Sequence, residues 1–161
     1  MTTCPKATAA GVSVSASRSS IWARCGRAGR QDHVWCVDFI HDWDDRDRPL
    51  KWLSVVDEFT RECVALELAR GMTAEGVAGV LIDLFASRGV PKHIRSDNEG
   101  EFIARTIRRL VTLTGVEHLE VAPGSPWENA YAERFHGRLR DELLNAEVFI
   151  DVHDAKAMVR A

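Results

Sequence analysis

The 161-residue sequence predicts one α/β domain built on a five-stranded mixed sheet, with three antiparallel strands first, then two parallel additions, and helices on its flanks. Three observations carry this. Val34–Ile40 is apolar on both faces, as a central strand must be. Two further strand-like runs follow it through short links, which favours a meander. Beyond Thr73 the chain alternates helical periodicity with short apolar runs.

The elements follow in order. Asp42 to Arg48 is a charged turn region ending at Pro49. Leu50–Asp57 and Glu62–Ala69 read as the second and third strands. Val77, Val80, Leu81, Leu84 and Phe85 recur at i, i+3, i+4, i+7 and i+8, so Thr73 to Arg88 is a helix. Thr73 is placed to cap it, and Gly89 with Pro91 to stop it. His93–Arg95 is a short strand leading to Asp97. Glu101 to Thr114 reads as one helix with an imperfect inner stripe of Phe102, Ile107, Leu110 and Val111, ended by Gly115. Val116–Val121 is the fifth strand. Pro123-Gly124-Ser125-Pro126 is a loop, and Ser125-Pro126-Trp127-Glu128 has capping-box form for a helix running to about Leu144. Residues 151–160 form a last helix capped by Asp151, the expected start of a truncated C-terminal segment, 151–161.

Composition bounds the reading. Hydrophobic residues at 45% and charged residues at 28% suit a soluble globular domain, and no apolar run approaches the roughly 20 residues of a membrane helix. We therefore expect no membrane partner and a cytoplasmic location. The net charge of −3 hides an asymmetry: residues 1–30 hold Lys6, Arg18, Arg24, Arg27 and Arg30 and no acid. That stretch reads as a disordered basic tail, leaving 31–150 as the folded core with an excess of acid that bound cations would offset. Cys4, Cys25, Cys36 and Cys63 lack C-x-x-C spacing and are expected to be reduced thiols. No histidine pairs with cysteines at zinc-finger spacing.

Three acids stand out. Asp38 interrupts the first strand on a face shared with Cys36 and Ile40, where a lone buried carboxylate would cost several kcal/mol. No sequence neighbour offers it a cation. Asp97 sits where a strand meets a turn, and Glu133 lies on a helix 35 residues further on. On that helix Tyr131, Phe135, Leu139 and Leu143 form an inner stripe, while Glu133, Gly137 and Arg140 share another face suited to a phosphate backbone; Leu144 falls near that face and fits it poorly. Clustered carboxylates are what hard divalent cations require, and two such ions can clamp the attacking and leaving oxygens of a phosphoryl transfer. Competing acids have local explanations: Asp57 in a turn before Thr60-Arg61, Glu128 in the capping box, Glu99 and Glu101 as neighbours of Asp97. Arg134, His136, Arg138 and Asn129 are further candidates for DNA contact. Phosphate-binding glycine loops and nucleophile elbows are absent from the sequence.

Four segments in order resemble the catalytic core of insertion-sequence transposases of the IS3 type, related to retroviral integrases: Trp35-Cys36-Val37-Asp38-Phe39-Ile40, Val56-Asp57-Glu58-Phe59-Thr60-Arg61, Arg95-Ser96-Asp97-Asn98, and Pro126-Trp127-Glu128-Asn129-Ala130-Tyr131-Ala132-Glu133. The resemblance implies a ribonuclease-H-like fold and an Asp38, Asp97, Glu133 triad holding two Mg²⁺ or Mn²⁺ ions. It implies double-stranded DNA as substrate, at element ends and target. A water-driven cut would leave a 3′-hydroxyl that then attacks a second phosphodiester. It further implies a homo-oligomer in the active assembly and a separate or fused helix-turn-helix partner.

The sequence departs from the family pattern in three places. Glu99 stands where glycine is usual; if that position needs positive φ, strain of about 1 kcal/mol follows, together with an extra negative charge near the metals. His136 stands where Asn is common. The sequence continues only briefly past the catalytic helix. A truncated, inactive remnant and a ribonuclease-H-type nuclease without strand transfer are therefore the alternatives.

Overall fold

The computed structural model describes residues 28–121 and 130–160. The basic stretch up to residue 27, the 123–126 loop, the capping box and Asn129 lie outside the described residues.

Strands β1 (Val34–Trp43), β2 (Pro49–Asp57) and β3 (Cys63–Ala69) form the antiparallel meander. Helix α1 (Ala74–Arg88) crosses to β4 (His93–Ser96), and short helices α2 (Gly100–Ile103) and α3 (Arg105–Thr114) lead to β5 (Glu117–Glu120). Helix α4 (Ala130–Leu139) runs into a π-helical turn (Arg140–Leu144), and α5 (Val152–Arg160) follows. Strand order is β3-β2-β1-β4-β5, with β4 parallel to β1 and β5 parallel to β4. The mixed sheet expected from the sequence is the one found.

Alternation along β1 divides the core in two. Trp35, Val37 and Phe39 face α1, α2 and α3, where they meet Leu53, Val55, Val77, Leu81, Phe102 and Ile107. Phe39 stacks on Phe102 with ring centroids 4.9 Å apart. Ile40 faces the other way, with Leu50, Trp52, Leu68, Leu144, Phe149 and Ala155. α1 begins and ends as its residues require: Thr73 accepts a bond from the Gly76 N–H, and Gly89, at φ 93°, returns its N–H to the Phe85 carbonyl. Asp151 caps α5 through its bonds from the His153 and Asp154 N–H groups.

Two helices differ from the sequence reading. Glu101 to Thr114 is not continuous: Ala104 adopts extended backbone (φ −60°, ψ 152°) and splits it. The reason is phase. Phe102 and Ile107 are five residues apart and cannot face the same way on one helix, yet both are buried against the sheet; the break lets each do so. Helix α4 ends in π geometry, the Asn145 N–H reaching the Arg140 carbonyl at 2.8 Å. This turn resolves the misfit at Leu144, whose side chain now packs into the second core beside Leu139 and Leu143. β1 also runs three residues beyond the expected end, because Asp42 and Trp43 still pair with Leu50 and Pro49.

Phe149 is 1% exposed and its ring lies 5.8 Å from that of Trp52, so it pins the C-terminal segment to the sheet. Phe149→Ala should cost about 3–5 kcal/mol in urea unfolding, whereas Val148→Ala, at a position 75% exposed, should stay within about 0.5 kcal/mol.

Candidate active site

Asp38 sits mid-strand in β1, directly opposite Ser54 of β2. On its other side β1 runs parallel to β4, with Val34, Trp35 and Cys36 paired to His93, Ile94 and Arg95. The pairing ends there, two residues short of Asp38 on β1 and of Asp97, which follows the end of β4. Both carboxylates are already in use locally. Asp38 Oδ1 accepts from the Phe39 N–H at 2.8 Å, and Asp97 Oδ1 accepts from the Glu99 N–H at 3.0 Å. Burial raises the pKa of Asp97; its bond from the Glu99 N–H opposes this, while the Glu99 charge adds to the rise. A cation bound there would relieve that stress.

α4 lies over β1 and β2. Ala132, wholly buried, faces the sheet, and one turn on His136 Nε2 is 2.8 Å from Ser54 Oγ. His136 Nδ1 is 3.8 Å from Asp38 Oδ2. Burial, assisted by the charge of Arg140, pulls the His136 pKa down to about 4, so the ring is neutral at pH 7 and this contact is not an ion pair there. The Ser54 hydroxyl donates its one proton to the Asp38 carbonyl at 3.2 Å, so its oxygen accepts from the His136 Nε2–H. His136 therefore reads as a strut between α4 and the Asp38 row. Ser54 was missed by sequence reasoning, although its place opposite Asp38 on the second strand could have shown it.

Glu133 precedes His136 by three residues on the same helix and is exposed. Among the described residues, no three histidine, cysteine, aspartate or glutamate side chains are gathered closely enough to hold one metal ion. The donors fit a hard divalent cation in kind, with oxygen ligands on neighbouring chain segments. Asp38 lies within β1, Asp97 one residue past the end of β4, and Glu133 on α4, which packs over β1 and β2.

Glu99 corrects an expectation. Its φ is −60°, so no positive-φ strain exists. Its carboxylate is 3.1 Å from Lys51 Nζ, which also holds Glu101 at 2.8 Å and lies 3.8 Å above the Phe39 ring. Lys51 alternates with Leu53 and Val55 and so lies on the sheet face opposite Asp38. Burial works against the Lys51 charge, but the hydrogen bonds it donates to Glu101 and Glu99 outweigh this and raise the pKa, keeping the clamp ionised. The extra acid is thus largely absorbed by a lysine. Asp57 is confirmed as turn chemistry, accepting from the Asp32, Phe59 and Thr60 N–H groups.

A buried pair beneath the site also went unread. Arg95 Nη1 is 2.7 Å from Glu58 Oε1, the side chains 9% and 1% exposed. Cys36 Sγ donates to the same Glu58 oxygen at 3.0 Å. Burial raises the Glu58 pKa while Arg95 counters it, and burial with the Glu58 charge raises that of Cys36. Arg95 is two residues before Asp97 and Cys36 two before Asp38, so the pair ties the bases of both acid-bearing segments together. A strand-internal arginine next to an apolar run was the available signal, since such a charge needs a buried acid.

A family model described as an integrase core domain matches residues 28–126, and a second of the same description matches 114–161. The chain belongs to the integrase core domain family. It is 37% identical over 126 residues to an uncharacterized 39.2 kDa protein of the insertion element IS476 from Xanthomonas euvesicatoria, covering 78% of this chain and 36% of that protein. To a 31.7 kDa protein of the element IS407 from Burkholderia multivorans it is 36% identical, covering 83% of this chain and 48% of that one. It thus spans less than half the length of these two relatives. In fold it is similar to the catalytic core domain of HTLV-2 integrase solved with magnesium (TM-score 0.57, 20% identity, 71% of this chain and 72% of that one). The ribonuclease-H-like architecture implied by the sequence motifs is the one this integrase core adopts.

Two outcomes test the site's scaffolding. Arg95→Met should cost about 3–5 kcal/mol, because Glu58 is left charged and buried, and the added change Glu58→Met should recover most of it. His136 binds its proton more readily unfolded, so its contribution to stability is lost as pH falls from about 6.5 towards 4. His136→Asn should therefore lose about 2 kcal/mol less than the parent between pH 7 and pH 5, read from urea melts; equal losses would rule out the neutral strut.

Proposed function

We propose that this chain is the catalytic core of an insertion-element transposase that cuts DNA strands and joins the new 3′-ends to other DNA. The observation that supports the reading is the parallel β1–β4 pairing, which ends two residues before Asp38 and Asp97, with the helix bearing Glu133 packed over β1 and β2. Asp38 and Asp97 supply carboxylate oxygens for Mg²⁺ or Mn²⁺, and Glu133 completes the set as α4 settles on the sheet. When bound, a pair of such ions activates a nucleophilic oxygen and stabilises the leaving one. His136 and Ser54 hold α4 against the Asp38 row. Glu58 and Arg95 hold the two acid-bearing segments at their spacing. Gly137 and Arg140, on the Glu133 side of the helix, leave room and charge for the phosphate backbone of double-stranded DNA. A homo-oligomer follows if two element ends are cut together. The insertion-element relatives and the integrase fold support this reading.

A remnant that folds without transposing is the second reading, favoured by the lack of an assembled three-donor cluster among the described residues.

Purified protein incubated with Mn²⁺ and oligonucleotides of the inverted repeats flanking its gene should yield strand-joined products, abolished by EDTA. Asp38→Asn, Asp97→Asn and Glu133→Gln should each lower the yield at least about 100-fold. Cleavage without joining would point to a nuclease. No product from the parent, matched by the variants, would point to the remnant.

A further inference from the structure

On the flank of α4 away from Glu133 lies a groove of about 340 Å³ lined by Val56, Arg61, Tyr131, Arg134, Phe135 and Arg138. Among the described residues its lining holds three arginines and two aromatic rings and no acid. Arg134 and Arg138 are one helical turn apart, as are Tyr131 and Phe135, so cations and rings form two parallel rows. The guanidinium of Arg61 lies 3.5 Å above the centre of the Tyr131 ring. Arg61 is held there from a turn in which its φ is 67°, a left-handed conformation unusual for a residue with a side chain.

We propose that this groove is a nucleotide subsite, taking one unpaired nucleotide of a DNA strand with its phosphate against Arg134 and Arg138 and its base against Phe135 and the Arg61–Tyr131 stack. The proposal rests on the reading of the chain as a DNA-processing core and adds where a second stretch of strand is held. Size and chemistry support a single nucleotide: the volume suits one small ligand. Aromatic rows beside a cationic track are the means by which proteins bind single strands. In a duplex the base faces are covered by their stacked neighbours, so only an unpaired base can offer its face to Phe135. Position supports a separate strand segment. Ala132 and His136 mark the side of α4 turned to the sheet. At about 100° per residue, Glu133 falls on one side of that line and Tyr131, Phe135 and Arg138 on the other. The nucleotide in the groove is therefore separated by the helix from the phosphodiester that reaches Asp38 and Asp97.

The test uses the full chain in EDTA, with a labelled oligothymidylate of about 12 nucleotides and a labelled duplex of equal length, read by fluorescence anisotropy across salt concentrations. Arg134→Gln with Arg138→Gln should weaken single-strand binding at least about tenfold and flatten its log–log salt slope by about 1.4. Tyr131→Leu with Phe135→Leu should weaken single-strand binding at least about fivefold, leaving the salt slope and the duplex affinity within error of the parent. Circular dichroism melts confirm that each variant is folded. The proposal is overturned if the aromatic variant binds the single strand like the parent, or weakens both probes equally, since either result describes only a diffuse basic surface. A failure of strand joining with these binding changes intact would sink the transposase reading alone; the reverse pattern would sink the subsite alone.

Discussion

The parallel pairing of β1 with β4 governs what the rest of this molecule can do. β1 is buried on both faces, so its row of side chains cannot slip without turning Trp35, Val37 and Phe39 out of one core and Ile40 out of the other. That fixed register decides which residue of β4 comes beside which residue of β1. Cys36 is matched to Arg95, and Asp38 and Asp97 follow two residues on along the two segments. Burial resists the charge of Asp97, and the hydrophobic core holds it in place at a cost to stability.

The surroundings show how that cost is contained. Below the acids, Arg95 and Glu58 neutralise each other in the interior, with the Cys36 thiol donating to the shared oxygen. To the side, Lys51 gathers Glu99 and Glu101 on the opposite face of the sheet, so two of the acids nearest Asp97 in sequence are balanced. Above, His136 remains neutral and links α4 to Ser54 and to the edge of Asp38. At Asp97 burial still raises the carboxyl, although the Glu99 N–H and the Lys51 charge work against it. A site stressed in that way is disposed to accept a cation.

The fold was legible because its signals were periodic. The doubly apolar β1 run, the cap at Thr73, the stop at Gly89 and the cap at Asp151 each have a local cause that the structure repeats. The departures arise where long-range packing overrides local pattern. Phe102 and Ile107 both require the core, and the helix breaks at Ala104 to allow it. Leu144 requires the second core, and the helix widens to π geometry to deliver it. At the site, Asp38 could be named from sequence because an acid inside an apolar strand lacks a local reason, whereas Asp97, which has a local role in its turn, stood out only together with Asp38 and Glu133. Ser54, Lys51 and the Glu58–Arg95 pair could not be ranked, because their meaning lies in partners 16 to 82 residues away in the chain or brought together only by sheet pairing.

The central claim is that β1 and β4 present one shared cation site through Asp38 and Asp97. Crystals soaked in Mn²⁺ and measured for anomalous scattering test it most directly. The account predicts a manganese peak bridging the carboxylates of those two residues, lost in Asp97→Asn. Manganese seated instead on Glu99 and Glu101, or absent from Asp38 at saturating concentration, would contradict it.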